Sequence, residues 1–148
     1  MKVDFHTIGE IMDEKITFVV MISRYKNKWI VVRHKDRETW EIPGGHREEL
    51  ENLQNAAERE LYEETGAKQF ILNPICIYSV KTNNERSYGK LFYANIKEIG
   101  QLPKYEIAET KLVDDMLKEN LTYPLIQPLL FEKTQKYLLQ RTGKLIYK

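Results

Sequence analysis

GHREELENLQNAAERELYEETGA, running from Gly45 to Ala67, places a glycine, then Glu51, then Arg59-Glu60-Leu61-Tyr62-Glu63-Glu64-Thr65-Gly66 at fixed spacing. From Asn52 to Thr65 the chain holds neither proline nor glycine and is rich in Ala, Leu, Glu, Gln and Arg, which predicts a helix. Asn52 suits its N-cap, and Gly66 suits the position just past its C-terminus. Residues three and four apart share a helix face, so Glu60, Glu63 and Glu64 gather. At 100° per residue, Glu60 and Glu64 fall within about 20° of Leu53, on the apolar stripe it shares with Ala57 and Leu61. A solvated acidic face would lie opposite that stripe. Carboxylates aimed inward repel one another and lose hydration unless something positive joins them. Arg59 can neutralise one, and a divalent cation with oxygen ligands is the natural partner for the others.

Working outward, Ile16 to Ser23 and Trp29 to His34 read as β-strands joined by a hairpin over residues 24–28. Trp40 to Ile42 reads as a short strand leading into Pro43-Gly44-Gly45, a turn where glycine lets backbone approach a ligand closely. Gln69 to Lys81 and Tyr88 to Ile96 are two further strands linked by the polar residues 82–87, and Ile107 to Val113 is another. Asp114 to Glu119 suits a helical turn. A final amphipathic helix begins near Pro124, with Pro128 marking either a kink or a later start. No repeat or linker divides the 148 residues, so one domain is expected, an α+β sandwich.

With 23 basic and 22 acidic residues the net charge is +1, which gives no case for nucleic acid or an anionic membrane as main partner. Cys76 is alone, so no internal disulfide forms, and its isoleucine neighbours predict a small buried strand residue rather than a catalytic thiol. The N-terminal residues lack the apolar core of a signal peptide, and the apolar run Ile16 to Ile22 is too short to span a bilayer, so a cytoplasmic location is expected. His6, His34 and His46 show no ligand spacing, which argues against zinc.

The string from Gly45 to Ala67 resembles the Nudix box, Gly-x5-Glu-x7-Arg-Glu-apolar-x-Glu-Glu-x-Gly-apolar. Every fixed position matches, and only Ala67 is smaller than the usual aliphatic residue. Residues 40–46 resemble the strand and loop that lead into the box. The resemblance implies the Nudix fold, a mixed sheet held between helices, and hydrolysis of a nucleoside diphosphate linked to another group, with Mg²⁺ or Mn²⁺ required. Carried onto this chain, it makes Glu60, Glu63, Glu64 and the Gly44 carbonyl metal ligands, with Glu60 or Glu63 as general base. Arg59 orients a glutamate by a bidentate ion pair, and Glu51 holds the loop-helix corner or assists substrate or a second metal. A later acidic residue completes the catalytic set: of Glu106 and Glu109, the sequence favours Glu109. Arg33 and Arg37, in the basic run 33–37, are candidates to meet substrate phosphates, and Trp40 reads as core or as a base-stacking residue.

For the substrate, the downstream proline of ADP-ribose hydrolases and the downstream tyrosine of dinucleoside polyphosphate hydrolases are missing or off register. A MutT-like hydrolase of nucleoside triphosphates, modified ones included, remains the main expectation. The antimutator prototype reads oxidised guanine with an asparagine before its final helix, where this chain has Thr122. The alternatives are dinucleoside polyphosphates, nucleotide sugars or RNA 5' ends as substrates, or a non-catalytic nucleotide-sensing module. An isomerase of isopentenyl diphosphate would need a cysteine upstream of the box, and Cys76 lies downstream. A homodimer paired through Tyr88 to Ile96 is a further expectation.

Overall fold

A computed structural model describes residues 1–142. Its strands are β1 (Lys2–His6), β2 (Ile16–Tyr25), β3 (Lys28–His34), β4 (Gly44–His46), β5 (Ala67–Thr82), β6 (Glu85–Ile99) and β7 (Ile107–Val113). Helix α1 (Leu53–Thr65) follows β4, and α2 (Gln127–Thr142) ends the described chain. The seven strands form one mixed sheet in the order β1-β5-β6-β2-β3-β7, with β4 paired to β2. Only β2 and β6 run parallel; the other pairs are antiparallel.

Strand residues alternate between the two faces, and each helix takes one face. Ile30 and Val32 of β3 pack with Leu53, Ala57 and Leu61 of α1. Trp29 and Val31 pack on the other side with Leu130, Phe131 and Leu138 of α2. There the Trp29 and Phe131 rings meet edge to face, centroids 5.0 Å apart, a geometry that favours the ring quadrupoles. The α+β sandwich expected from sequence is therefore the architecture found.

The far edge of β2 is shared. Near the hairpin, Arg24 and Tyr25 pair with β3, while at the other end Phe18 to Val20 pair with β4. Between them the strands part, and residues 41–43 cross the gap: Glu41 bonds Val32 in both directions at 2.8 Å, and Met21 N donates to Pro43 O at 2.9 Å. This corrects two expectations. Trp40 to Ile42 makes only isolated bridges, to Val32 and Leu121. Gly44 to His46, expected as a turn, is a short strand because β2 offers it a free edge.

Helix α2 starts at Gln127 rather than Pro124, since Gln127 N and Ile126 N both close back on Tyr123 O and form a tight turn first. Pro128 then falls in the first helical turn, where its missing N–H costs nothing. Strand β6 lies between β5 and β2 with both edges paired, so Tyr88 to Ile96 offers no edge to a second copy. Among the described residues no helix is long and apolar enough to cross a membrane.

Candidate metal and substrate site

Helix α1 forms where its spacing predicts. Asn52 caps it by accepting from Asn55 N at 2.7 Å. Gly66 ends it with φ 79°, the left-handed conformation that glycine adopts without strain. The helix packs its C-terminal half under the β4 segment, and the contact there is tight. A Cβ on Gly45 would sit 1.3 Å from Glu60 Oε2, so the glycine is the space that the carboxylate occupies. Glu64 is 5% exposed and its Oε1 accepts from Gly44 N at 3.0 Å. The two glycines of the loop thus hold two carboxylates of the helix.

Arg59 closes the other side. Its Nε and Nη2 grip both oxygens of Glu51 at 2.8 and 3.0 Å, and Nη2 also donates to His46 O at 3.1 Å. Its Nη1 stands 3.4 Å from both Glu60 and Glu63. Glu51 accepts from Glu48 N as well, at 3.0 Å, so the pair pins the loop to the helix. The bidentate partner of Arg59 is therefore Glu51, while Glu60 and Glu63 each keep a carboxylate facing the cavity. Glu51 lies outside that cavity.

Burial and mutual repulsion show in the proton affinities. Burial pushes Glu60 up to about 7, with Arg59 opposing and Glu63 adding to the shift. Burial pushes Glu64 up to about 8, against the bond from Gly44, with Glu60, Glu41 and Glu106 adding to it. Glu64 Oε2 accepts no hydrogen bond among the described residues. Such a cluster of oxygen donors, short of positive charge and held at fixed backbone positions, fits a hard divalent cation such as Mg²⁺ or Mn²⁺.

The carboxylates open onto a cavity of about 740 Å³, large enough for a nucleotide-sized ligand. Its polar lining includes Glu60, Glu63, Glu64, Glu106, His34, Arg37 and Arg47. Its apolar lining includes Phe18, Tyr78, Tyr123 and Ile126, and Gln127 also lines it. Gln127 is 6% exposed and its Oε1 accepts from Ile42 N at 3.1 Å, which orients the amide.

The later acidic residue is where sequence and structure part. Arg33 and Val31 face α2, whereas His34 follows Ile30 and Val32 towards α1. Glu109 pairs with Arg33, 3.3 Å from its Nε, and lies outside the cavity with it. Register explains the exchange. Arg33 is opposite Glu109 but His34 is opposite Ile107, so Ala108 is an extra residue, a β-bulge that brings Glu106 beside Lys35. Glu106 lines the cavity and Glu109 does not.

Arg37 does line the cavity, bonded to Glu41 and 5.8 Å from the Tyr123 ring centroid. Trp40 is partly buried in the α2 core beneath Lys111, 4.2 Å from its ring centroid. Thr122 turns its hydroxyl to Thr39 and stays out of the cavity. Arg47 and Gln127 carry no sequence signal, since only the closing of loop and helix brings them to the site. Cys76 is buried, and burial pushes its thiol up to about 11.

Comparison with known proteins agrees with this picture. A match to the family described as NUDIX domain spans residues 12–114. YtkD of Bacillus subtilis (strain 168), named provisionally as an 8-oxo-dGTP diphosphatase, is 32% identical over 104 residues, 70% of this chain. The matched stretch spans 65% of that relative's length. Among solved structures, the pyrophosphohydrolase BsRppH of Bacillus subtilis superposes with a TM-score of 0.75 at 23% identity, covering 91% of this chain and 90% of that one. A NUDIX hydrolase from Nitrosomonas europaea gives a TM-score of 0.68 at 20% identity, covering 83% and 90%. These two likenesses show the fold.

Proposed function

The chain belongs to the Nudix family, and on that premise we propose that it is a divalent-metal-dependent pyrophosphohydrolase of nucleoside triphosphates, releasing the monophosphate and pyrophosphate. The observation that carries the reading is that three box carboxylates line one nucleotide-sized cavity. Glu60, Glu63 and Glu64, with the Gly44 backbone, would hold Mg²⁺ or Mn²⁺. When bound, the cation neutralises the charge of the polyphosphate and makes a bound water a better nucleophile.

The remaining work falls to the chain's own residues. Glu60 or Glu63 takes the proton of the attacking water, both carboxylates standing at the cavity. Water oxygen bonds to phosphorus, and the bond from that phosphorus to the bridging oxygen breaks. Arg59 fixes the geometry through Glu51 rather than by touching substrate. Glu106 takes the place of Glu109 as the later acidic residue, and of the two arginines expected to meet the phosphates Arg37 lines the cavity while Arg33 does not. Phe18, Tyr78 and Tyr123 offer rings to a base, and Gln127 offers an amide already oriented by Ile42.

The name of the B. subtilis relative supports including oxidised guanine among the bases, although Thr122 stands away from the cavity and any such reading would fall to Gln127. The test is a panel of canonical and oxidised nucleoside triphosphates, dinucleoside polyphosphates, nucleotide sugars, ADP-ribose and triphosphorylated RNA. Mg²⁺ and Mn²⁺ are supplied separately. Pyrophosphate from one triphosphate above all other substrates supports the reading. Tight nucleotide binding with no turnover on any member would replace it with a sensing module.

A further inference from the structure

His34 stands at a junction that the box motif does not account for. Its Nε2 lies 3.4 Å from Glu41 Oε1 and 3.6 Å from Glu64 Oε2, and its Nδ1 lies 3.8 Å from Glu106 Oε2. Donor atoms of His34, Glu64 and Glu106 all fall within 4.8 Å of one another. We propose that these three residues form a mixed nitrogen-oxygen cation position, in which His34 is a ligand and sets a preference for Mn²⁺ over Mg²⁺. The inference rests on the divalent-cation site proposed above and adds a donor to it.

Three features place the cluster there. The even register of Ile30 and Val32 carries His34 to the α1 face of β3. The bulge at Ala108 and the bond from Lys35 N to Glu106 O, 2.9 Å, bring the backbone of Glu106 beside it. Gly44 holds one oxygen of Glu64, and the other, which accepts no hydrogen bond, stands 3.6 Å from the imidazole Nε2. The second oxygen of Glu41 is taken by Arg37. Three carboxylates thus surround one ring, with Arg37 as the fixed positive charge among them.

The donor set decides the metal. Mg²⁺ demands oxygen ligands and keeps much of its water, whereas imidazole is a good ligand for first-row transition ions, and affinity rises from Mn²⁺ along the series. A site made of glutamates alone would discriminate little; one nitrogen shifts the balance. Removing a group that only orients a metal ligand typically costs about 10–100-fold in metal affinity, so removing a ligand should cost at least about tenfold.

The probe is Mn²⁺ itself, titrated into the full chain and followed by electron paramagnetic resonance, with pulsed spectra recorded for coupling to nitrogen. The expected result is histidine ¹⁴N coupling in the wild type, replaced by ¹⁵N coupling when the protein is grown with ¹⁵N-histidine. The coupling should survive in His46→Gln, the other histidine at the cavity, and vanish in His34→Gln. Mn²⁺ affinity of His34→Gln should fall by about tenfold or more, while Mg²⁺ affinity, read by competition, changes less than about threefold. Mn²⁺ bound without nitrogen coupling in wild-type protein overturns the role of His34 and leaves the glutamate site standing. Equal loss of both metals in a folded His34→Gln also overturns it. Failure to bind Mn²⁺ at all would overturn this inference together with the metal site it rests on. The labelling arm needs no variant, so a misfolded His34→Gln does not block the test.

Discussion

Glu64→Gln should make the metal-free protein more stable while removing its response to metal. The substitution keeps the shape and keeps an oxygen for Gly44 N, but deletes a charge that the fold disfavours. Burial raises the Glu64 carboxyl from the ordinary 4.5 to about 8. The folded state therefore retains a proton that the unfolded chain releases, and wild-type stability falls as pH rises from about 4.5 to about 8. At pH 7 that interval is about 2.5 units at about 1.4 kcal/mol each, a ceiling of about 3.5 kcal/mol. Coupling to Glu60, whose own shift relaxes when its neighbour is neutral, lowers the expected gain to about 1–3 kcal/mol, or about 2–10 °C in Tm.

The assay is thermal unfolding in chelator from pH 4.5 to 8, then with Mn²⁺ added. The variant's advantage should be absent at pH 4.5 and grow with pH. With Mn²⁺ the order should reverse, since a ligand at a hundred times its Kd stabilises the wild type by about 2.7 kcal/mol and the variant little. A variant no more stable than wild type in chelator at pH 8, or one stabilised equally by Mn²⁺, would refute the placement of Glu64 as a strained, buried metal carboxylate.

Glu63→Gln should lower turnover at least about a hundredfold with the Tm nearly unchanged, because this glutamate is only half-buried and its loss acts on transition-state charge; steady-state kinetics and a melting curve check both halves. Arg59→Lys should keep the charge but lose the two-point grip on Glu51, lowering kcat by about tenfold or more with wild-type folding, read in the same assay. Cys76→Ser should leave kcat and KM intact and cost about 1–3 kcal/mol in urea unfolding, since a hydroxyl replaces a buried thiol. Phe131→Ala, which removes the edge-to-face partner of Trp29, should cost about 3–5 kcal/mol in urea unfolding, with the metal site on the opposite face still competent to bind Mn²⁺.

What was legible in the sequence was local or periodic. The box helix could be read because its composition, its Asn52 cap and its Gly66 stop all act within a few residues. Its inward carboxylates could be read because helical periodicity alone puts Glu60 and Glu64 on the apolar stripe. Strands β1 and β4 were missed because they are short and exist only through their partners: Lys2 to His6 lies along Val80 and its neighbours, and Gly44 to His46 fills the edge that β2 leaves free. The choice between Glu106 and Glu109 turned on a single extra residue, Ala108, and no pattern in Tyr105 to Thr110 announces a bulge. The basic run was read as a unit, yet a strand sends Arg33 and His34 to opposite faces. Which face met α1 was decided by packing far from the run itself. Gln127 was hidden for the same reason, being brought to the cavity by the tight turn after Tyr123.

The most direct test of the central claim is product analysis of one nucleoside triphosphate with wild type and Glu63→Gln side by side. Mg²⁺, Mn²⁺ or chelator is present, and pyrophosphate and phosphate are quantified separately. Metal-dependent release of pyrophosphate and monophosphate by wild type, lost in chelator and in a folded Glu63→Gln, is the predicted result. Release of single phosphates, or turnover that persists without metal or without Glu63, would contradict it.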